Sequence, residues 1–150
     1  MPFQIKIART DSDIRATYPV MRQLRPNVPR SKYLELVRLQ GRKVGFQLAV
    51  LRDDSDILCV AGFRFCYSLG WGKFLYIDDL VSEKKRRSRG AGSAMFRWLV
   101  ELAREEKCDE LRLDSALYRH EAQRFYLRER MDIACFNFRL GLRKNNRETP

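Results

Sequence analysis

The chain has 150 residues, with 30 Lys and Arg against 19 Asp and Glu, a formal net charge of +11 and a sequence pI near 9.9. That length suits one domain with a continuous core, so residues 1–150 are expected to form a single unit. There is no apolar run of roughly 18 residues and no charged-then-apolar leader, so neither a membrane span nor a signal peptide is indicated. In chain order, Phe3–Arg9 alternates apolar and polar residues and predicts a first strand. Asp11-Ser12-Asp13 signals a helix start before Ile14 and Met21, with Pro19 expected to bend or break it. After an Arg25–Pro29 loop, Ser31 is expected to cap a helix with Tyr33, Leu34 and Val37 facing inward, and Leu36 as a further candidate. Val44–Leu51 and Ile57–Tyr67 read as strands joined by a hairpin at 52–56, and Phe74–Ser82 as a fourth strand.

The second half continues the alternation. A helix after Gly92 places Ala91, Ala94, Met95, Trp98, Leu99, Leu102 and Ala103 on one stripe. Glu110–Asp114 predicts a fifth strand, roughly His120–Arg130 a helix, and Asp132–Leu140 a sixth strand. The fold class is therefore α+β, a sheet with helices on its faces, without repeats or linkers. Cys59, Cys66, Cys108 and Cys135 lie far apart with no C-x-x-C pair; three sit in apolar runs and read as buried hydrophobes. Reduced thiols in a cytoplasmic protein and no metal site are the expectation. The basic tail at 143–147 reads as a solvated end.

The segment Leu75–Ala103, LYIDDLVSEKKRRSRGAGSAMFRWLVELA, carries the chemistry. A strand runs into a basic turn, two glycines and an amphipathic helix, which aims backbone N–H groups and a helix N-terminus at one point. Such a point attracts phosphate, and Lys84–Arg89 add full charges. Arg87, Gly90 and Gly92 form an R-x-x-G-x-G array, lacking both the Gly-Lys-Ser/Thr of a nucleotide P-loop and the G-x-G-x-x-G of dinucleotide folds. The other reading of such a run is a solvated basic face at a helix start.

Arg87-Ser88-Arg89-Gly90-Ala91-Gly92 resembles the pyrophosphate turn Q/R-x-x-G-x-G/A of the GCN5-related N-acetyltransferases, and LDSALYRHEAQRFYLRERMDI at 113–133 resembles a second motif of that family. The resemblance to small bacterial acetyltransferases covers most of the chain, with its specific motifs at about 75–140. Ala116 stands where those relatives carry glycine and Gln123 where they carry histidine, departures that put the substrate identity in doubt. The resemblance implies a mixed, mostly antiparallel sheet of six to seven strands with helices on both faces, and acetyl-CoA as co-substrate. It further implies cofactor contacts from Leu80, Val81 and Ser82, from Arg87, Ser88, Arg89, Gly90, Ala91, Gly92 and Ser93, and from Arg119, which stands where many such enzymes carry an asparagine. The loop Leu24–Arg30 is expected on the acceptor side.

Direct transfer of an acetyl group to an amine needs a proton acceptor, because an amine of pKa about 10.4 is nearly all protonated at neutral pH. Asp78 and Asp79 end the fourth strand; in a regular strand Asp78 shares a face with Leu80 and Ser82 and is preferred, whereas a bulge would shift the phase. A solvated strand end is the other reading of the pair. Tyr126 matches the family tyrosine beside the departing thiolate, although spacing alone also fits a core aromatic. His120, the one histidine, could bind substrate, act as a base or cap the helix. The expected partners are a small-molecule or peptide amine acceptor and, as an open alternative, a second copy of the chain. A non-catalytic acyl-CoA-binding module is the rival class. Nucleic acid is disfavoured because the basic residues are spread along the whole chain.

Overall fold

The computed structural model describes residues 3–87 and 89–144. Ser88, expected in the cofactor turn, and positions 145–147 of the tail lie outside them. The chain divides into two compact units, one ending at Leu113 and one beginning at Asp114.

The first unit is built on strands β1 (Gln4–Ile7), β2 (Gln47–Asp53), β3 (Asp56–Ser68), β4 (Gly72–Ser82) and β5 (Glu110–Leu113), ordered β1-β2-β3-β4-β5. All neighbours are antiparallel except β4 and β5. A parallel pair needs a crossover, which the helix α4 (Ala91–Glu105) supplies. Helices α1 (Asp11–Ala16), α2 (Tyr18–Leu24) and α3 (Arg30–Val44) precede β2. Thr10 starts α1 with a capping box, its hydroxyl accepting from the Asp13 N–H at 3.0 Å. Pro19 does divide the expected helix: α1 stops at Ala16 and α2 restarts with proline in its first turn, where a missing N–H costs nothing.

Two expectations for α3 are corrected. Ser31 lies inside the helix, whose N-cap is Pro29 without a side-chain bond, because Pro29 is already extended at φ −73° and ψ 147°. Val44 ends α3 instead of starting a strand, since Gly45 takes the left-handed conformation (φ 72°) and bonds back to Gln40 and Gly41 carbonyls.

Each face of the sheet has its own core. Ile14, Tyr18, Val20, Met21, Tyr33, Val37 and Phe46 pack with Leu48, Val60 and Val81 on one side. On the other, α4 buries Ala91, Met95, Phe96, Leu99 and Ala103, and Trp98 meets Phe63 edge-on at 6.3 Å. Phe96 was not on the expected stripe. Of the cysteines only Cys59 is buried, in β3, where burial pushes its thiol up to about 12; Cys66 and Cys108 are half-buried and Cys135 is exposed, and none is in a disulfide.

The second unit contains α5 (His120–Arg128), stopped where Arg130 turns left-handed (φ 70°) and the Met131 N–H bonds the Tyr126 carbonyl at 3.0 Å. The expected sixth strand at 132–140 is corrected: no strand is assigned there, and the described sheet has five strands instead of six to seven. Phe136, Phe138, Leu140 and Leu142 do alternate, but all are more than four-fifths exposed. Alternation supplies an apolar face, whereas a strand also needs a ladder partner for its amides.

Candidate functional site

The site begins where β4 loses a neighbour. Its ladder to β5 runs from Phe74↔Glu110 to Ile77↔Leu113 and ends there, while its ladder to β3 continues to Cys59↔Ser82. From Asp78 to Ser82 the β5-side edge of β4 therefore has no strand beside it among the described residues. Alternate backbone groups on such an edge are free to meet a ligand.

The bulge left open from the sequence is present. Gly62 pairs with Asp79 and Phe63 with Ile77, so Asp78 is the extra residue on β4. Ile77 shares the face of its partner Phe63, towards α4. Asp79 shares the face of Gly62 and Leu48, towards α1–α3. A regular strand would have put Ile77 and Asp79 on one side. The preference for Asp78, which assumed that regularity, loses its basis.

Each acid meets its own arginine. Arg64 Nε donates to Asp78 Oδ2 at 3.0 Å and Oδ1 at 3.2 Å. Arg25 Nε donates to Asp79 Oδ1 at 2.7 Å, and its Nη2 donates to the Asp78 carbonyl at 2.9 Å. The Asp79 side chain is 12% exposed and that of Arg25 49%. Burial raises the Asp79 carboxyl above its ordinary value, the charge and hydrogen bond of Arg25 pull it back, and the charge of Asp78 adds to the rise. Gly62 makes this arrangement possible, because a Cβ there would lie 2.6 Å from Asp79 Oδ2 and 2.7 Å from Phe46 Cε1. Neither Arg25 nor Gly62 was singled out from the sequence, although Arg25 falls in the loop expected on the acceptor side.

The basic turn is anchored on both flanks. Glu83 N–H donates to the Leu58 carbonyl at 2.8 Å, Lys84 N–H to Gln23 Oε1 at 2.9 Å, and Gln23 Nε2 to Glu83 Oε2 at 2.9 Å. Arg86 pairs with Asp56 at 2.6 Å and Arg89 with Asp53 at 3.6 Å, so the acidic β2–β3 hairpin holds two cations of the run. Those partners were not expected. Arg87 is extended (φ −63°, ψ 160°), Gly90 is left-handed at φ 83°, and Ala91, Gly92 and Ser93 form the first turn of α4. That turn has no side-chain cap, and a Cβ on Gly90 would meet nothing within 4 Å. Open space beside uncapped amides, with arginines next to it, is a donor set that fits a diphosphate. Leu80 and Ser82 are half-buried and Val81 is buried.

In the second unit Arg119 is the N-cap of α5 and His120 its exposed first residue. Tyr126 is half-buried, with its ring edge-on to Phe125 at 5.4 Å. The two departures noted above are coupled: Gln123 Nε2 donates to the Ala116 carbonyl at 2.7 Å and to the Leu117 carbonyl at 3.1 Å. No group of three or more His, Cys, Asp or Glu able to hold a metal occurs among the described residues. Nor does any helix there have the length and apolarity to cross a membrane.

Comparison with known proteins adds sequence relatives and fold neighbours. The profile described as Acetyltransferase (GNAT) family matches residues 11–131. A Bacillus subtilis protein named uncharacterized N-acetyltransferase YhdJ is 30% identical over 110 residues, 73% of this chain and 78% of that one. The thialysine N-epsilon-acetyltransferase of Bos taurus is 29% identical over 90 residues, 53% of each chain. The fold is shared with a Bacillus halodurans protein titled a transcriptional regulator, with TM-score 0.79, 19% identity and coverage of 94% of this chain and 100% of that one. A Trypanosoma brucei acetyltransferase matches with TM-score 0.75, 20% identity and the same coverage.

Proposed function

The chain belongs to the GNAT acetyltransferase family, and from that premise we propose that it transfers the acetyl group of acetyl-CoA directly to a primary amine. The observation that carries this reading is the juxtaposition on β4: an edge without a neighbouring strand among the described residues from Asp78 to Ser82, a carboxylate at Asp79 with its side chain 12% exposed, and an open glycine turn entering α4. Acetyl-CoA brings the activated acetyl group as a thioester. The amides of Leu80 and Ser82, which alternate onto the free edge, would orient it, with Val81 between them included by resemblance, and Arg87, Arg89, Gly90, Ala91, Gly92 and Ser93 would hold its diphosphate. Ser88 and Arg119 belong to the same proposal by resemblance.

Asp79 is the preferred base. Its raised carboxyl accepts a proton more readily than an ordinary aspartate, while both oxygens of Asp78 engage Arg64. Tyr126 is proposed as the donor to the departing thiolate, on its match to the family tyrosine. Among the cysteines, Cys59 is excluded as an acetyl-carrying nucleophile by its burial and its protonated thiol, which favours direct transfer. A cytoplasmic setting with reduced thiols accords with four free cysteines.

The acceptor class is a small-molecule or peptide amine. The name of the bovine relative is the support for trying the ε-amine of thialysine first. The test is release of free CoA thiol from acetyl-CoA across a panel of lysine-like amines, polyamines, aminoglycosides and peptide lysines. Turnover with at least one amine, lost in Gly90→Val, is the expected result. Acetyl-CoA binding with no turnover on any amine would favour the non-catalytic module instead.

A further inference from the structure

We propose that Arg25 is a positioning residue that holds Asp79 in its ionised, proton-accepting form, so that a loop arginine sets the pH at which acetyl transfer begins. This rests on the reading of Asp79 as the base. Arg25 closes α2, and its backbone is fixed at both ends: its N–H donates to the Met21 carbonyl at 2.9 Å and its carbonyl accepts from Val28 N–H at 3.2 Å. The Tyr18 hydroxyl holds the next turn through the Val28 carbonyl at 2.7 Å. From this fixed point the guanidinium bridges the bulge, bonding the Asp79 carboxylate and the Asp78 carbonyl together. A planar fork can make two such bonds in fixed geometry, which a lysine ammonium on a flexible stem does not reproduce.

The charge balance explains why the bond matters to proton transfer. The groups acting on Asp79 are Arg25 from the α2–α3 segment and Asp78 on its own strand, which Arg64 of β3 pairs; Tyr33 of α3 is the nearby titratable group that the charge of Asp79 itself raises. Tyr33 is itself pushed up to about 12 by burial and stays neutral at working pH, its hydroxyl 2.7 Å from that of Thr17. Arg25 is therefore the cation paired directly with a carboxyl that burial raises, and its charge and hydrogen bond oppose that rise. When the acceptor ammonium gives up its proton, an N–H bond breaks and an O–H bond forms on Asp79. The amine goes from +1 to neutral, and the Asp79–Arg25 pair from neutral to +1. The Arg25 side chain is half in solvent, so water screens the resulting positive charge.

The experiment is the pH profile of kcat/KM for wild type, Arg25→Met and Arg25→Lys, together with a carbon-13 titration of the Asp79 carboxyl in the same proteins. An opposite charge at this distance depresses a carboxyl by about 1–3 pH units, with solvent exposure favouring the low end. Arg25→Met should move the acid limb upward by about one unit. Arg25→Lys restores the charge but not the two-bond fork and should recover only part of the shift. The carboxyl titration should move in step with the acid limb, with CoA affinity unchanged. A purely structural arginine would lower turnover equally at every pH and leave the limb in place, which overturns the proposal. So does a carboxyl titration that moves while the limb does not, since turnover then does not depend on Asp79. If wild type turned over no amine, the function reading would fail separately, and an unmoved carboxyl in Arg25→Met would still overturn the role of Arg25. Should Arg25→Met not fold, Arg25→Gln replaces it with the same expected shift.

Discussion

Gly62→Ala tests the connection between core packing and the site. Gly62 faces Asp79 across the β3–β4 bulge, and an added methyl would lie 2.6 Å from Asp79 Oδ2 and 2.7 Å from Phe46 Cε1, closer still to Phe46 Cζ. Ordinary carbon contacts sit at about 3.5–4.0 Å, so ring and carboxylate must each retreat by about 1 Å. Phe46 is 7% exposed within the α1–α3 core and has little room to move. Overpacking of this kind costs about 1–3 kcal/mol. For a chain this long that corresponds to a fall in Tm of about 2–12 °C, at about 2–4 °C per kcal/mol. Moving a proton acceptor by about 1 Å costs about 10²-fold in turnover. Scanning calorimetry and steady-state kinetics on the same preparation read both quantities. A Tm within about 1 °C of wild type, with unchanged kcat, would refute the packing argument and the placement of Asp79.

Gly90→Ala meets no neighbour and should lose only the left-handed preference of glycine, about 1–2 kcal/mol, seen as a lower midpoint in urea. Arg87→Ala should weaken CoA binding by about 1.5–3 kcal/mol, read by calorimetry with free CoA; unchanged affinity would remove the turn from the cofactor site. Tyr126→Phe should lower kcat by about 10²–10⁴ with CoA affinity nearly constant, whereas a packing role would lower Tm and spare kcat. The Asp79 carboxyl is raised in the folded state, so its contribution to stability is fully present below the ordinary value of 3.8 and is lost as pH rises through the raised one. Asp79→Asn should flatten that part of the stability curve, measured by urea unfolding between about pH 3 and 7. Iodoacetamide should label Cys135 in the native protein and Cys59 only after unfolding, as read by peptide mass spectrometry.

Most elements of the first unit were legible because local chemistry dictates them. Alternation marked β1 to β5, Pro19 divided α1 from α2, and the left-handed glycine before Ala91 marked the start of α4. The glycine turn entering α4 was legible for the same reason: its residues are contiguous and their spacing is their geometry. The choice between Asp78 and Asp79 was not, because one extra residue in β4 relative to β3 reverses every face beyond it, and the pattern of β4 alone does not reveal its register against another strand. The partners of the basic run, Asp53 and Asp56, and the reach of Arg25 to Asp79 span about 30 to 54 positions, so no local pattern encodes them. The apolar alternation at 136–142 is plain in the sequence, yet a strand exists only where another strand's edge takes its hydrogen bonds. Sequence by itself determined the family, the order of elements in the first unit and the glycine turn entering α4. Tertiary structure decided which carboxylate is the less exposed, which arginine pairs with it and which glycine makes room for it, because burial and charge pairing depend on what the rest of the chain brings alongside.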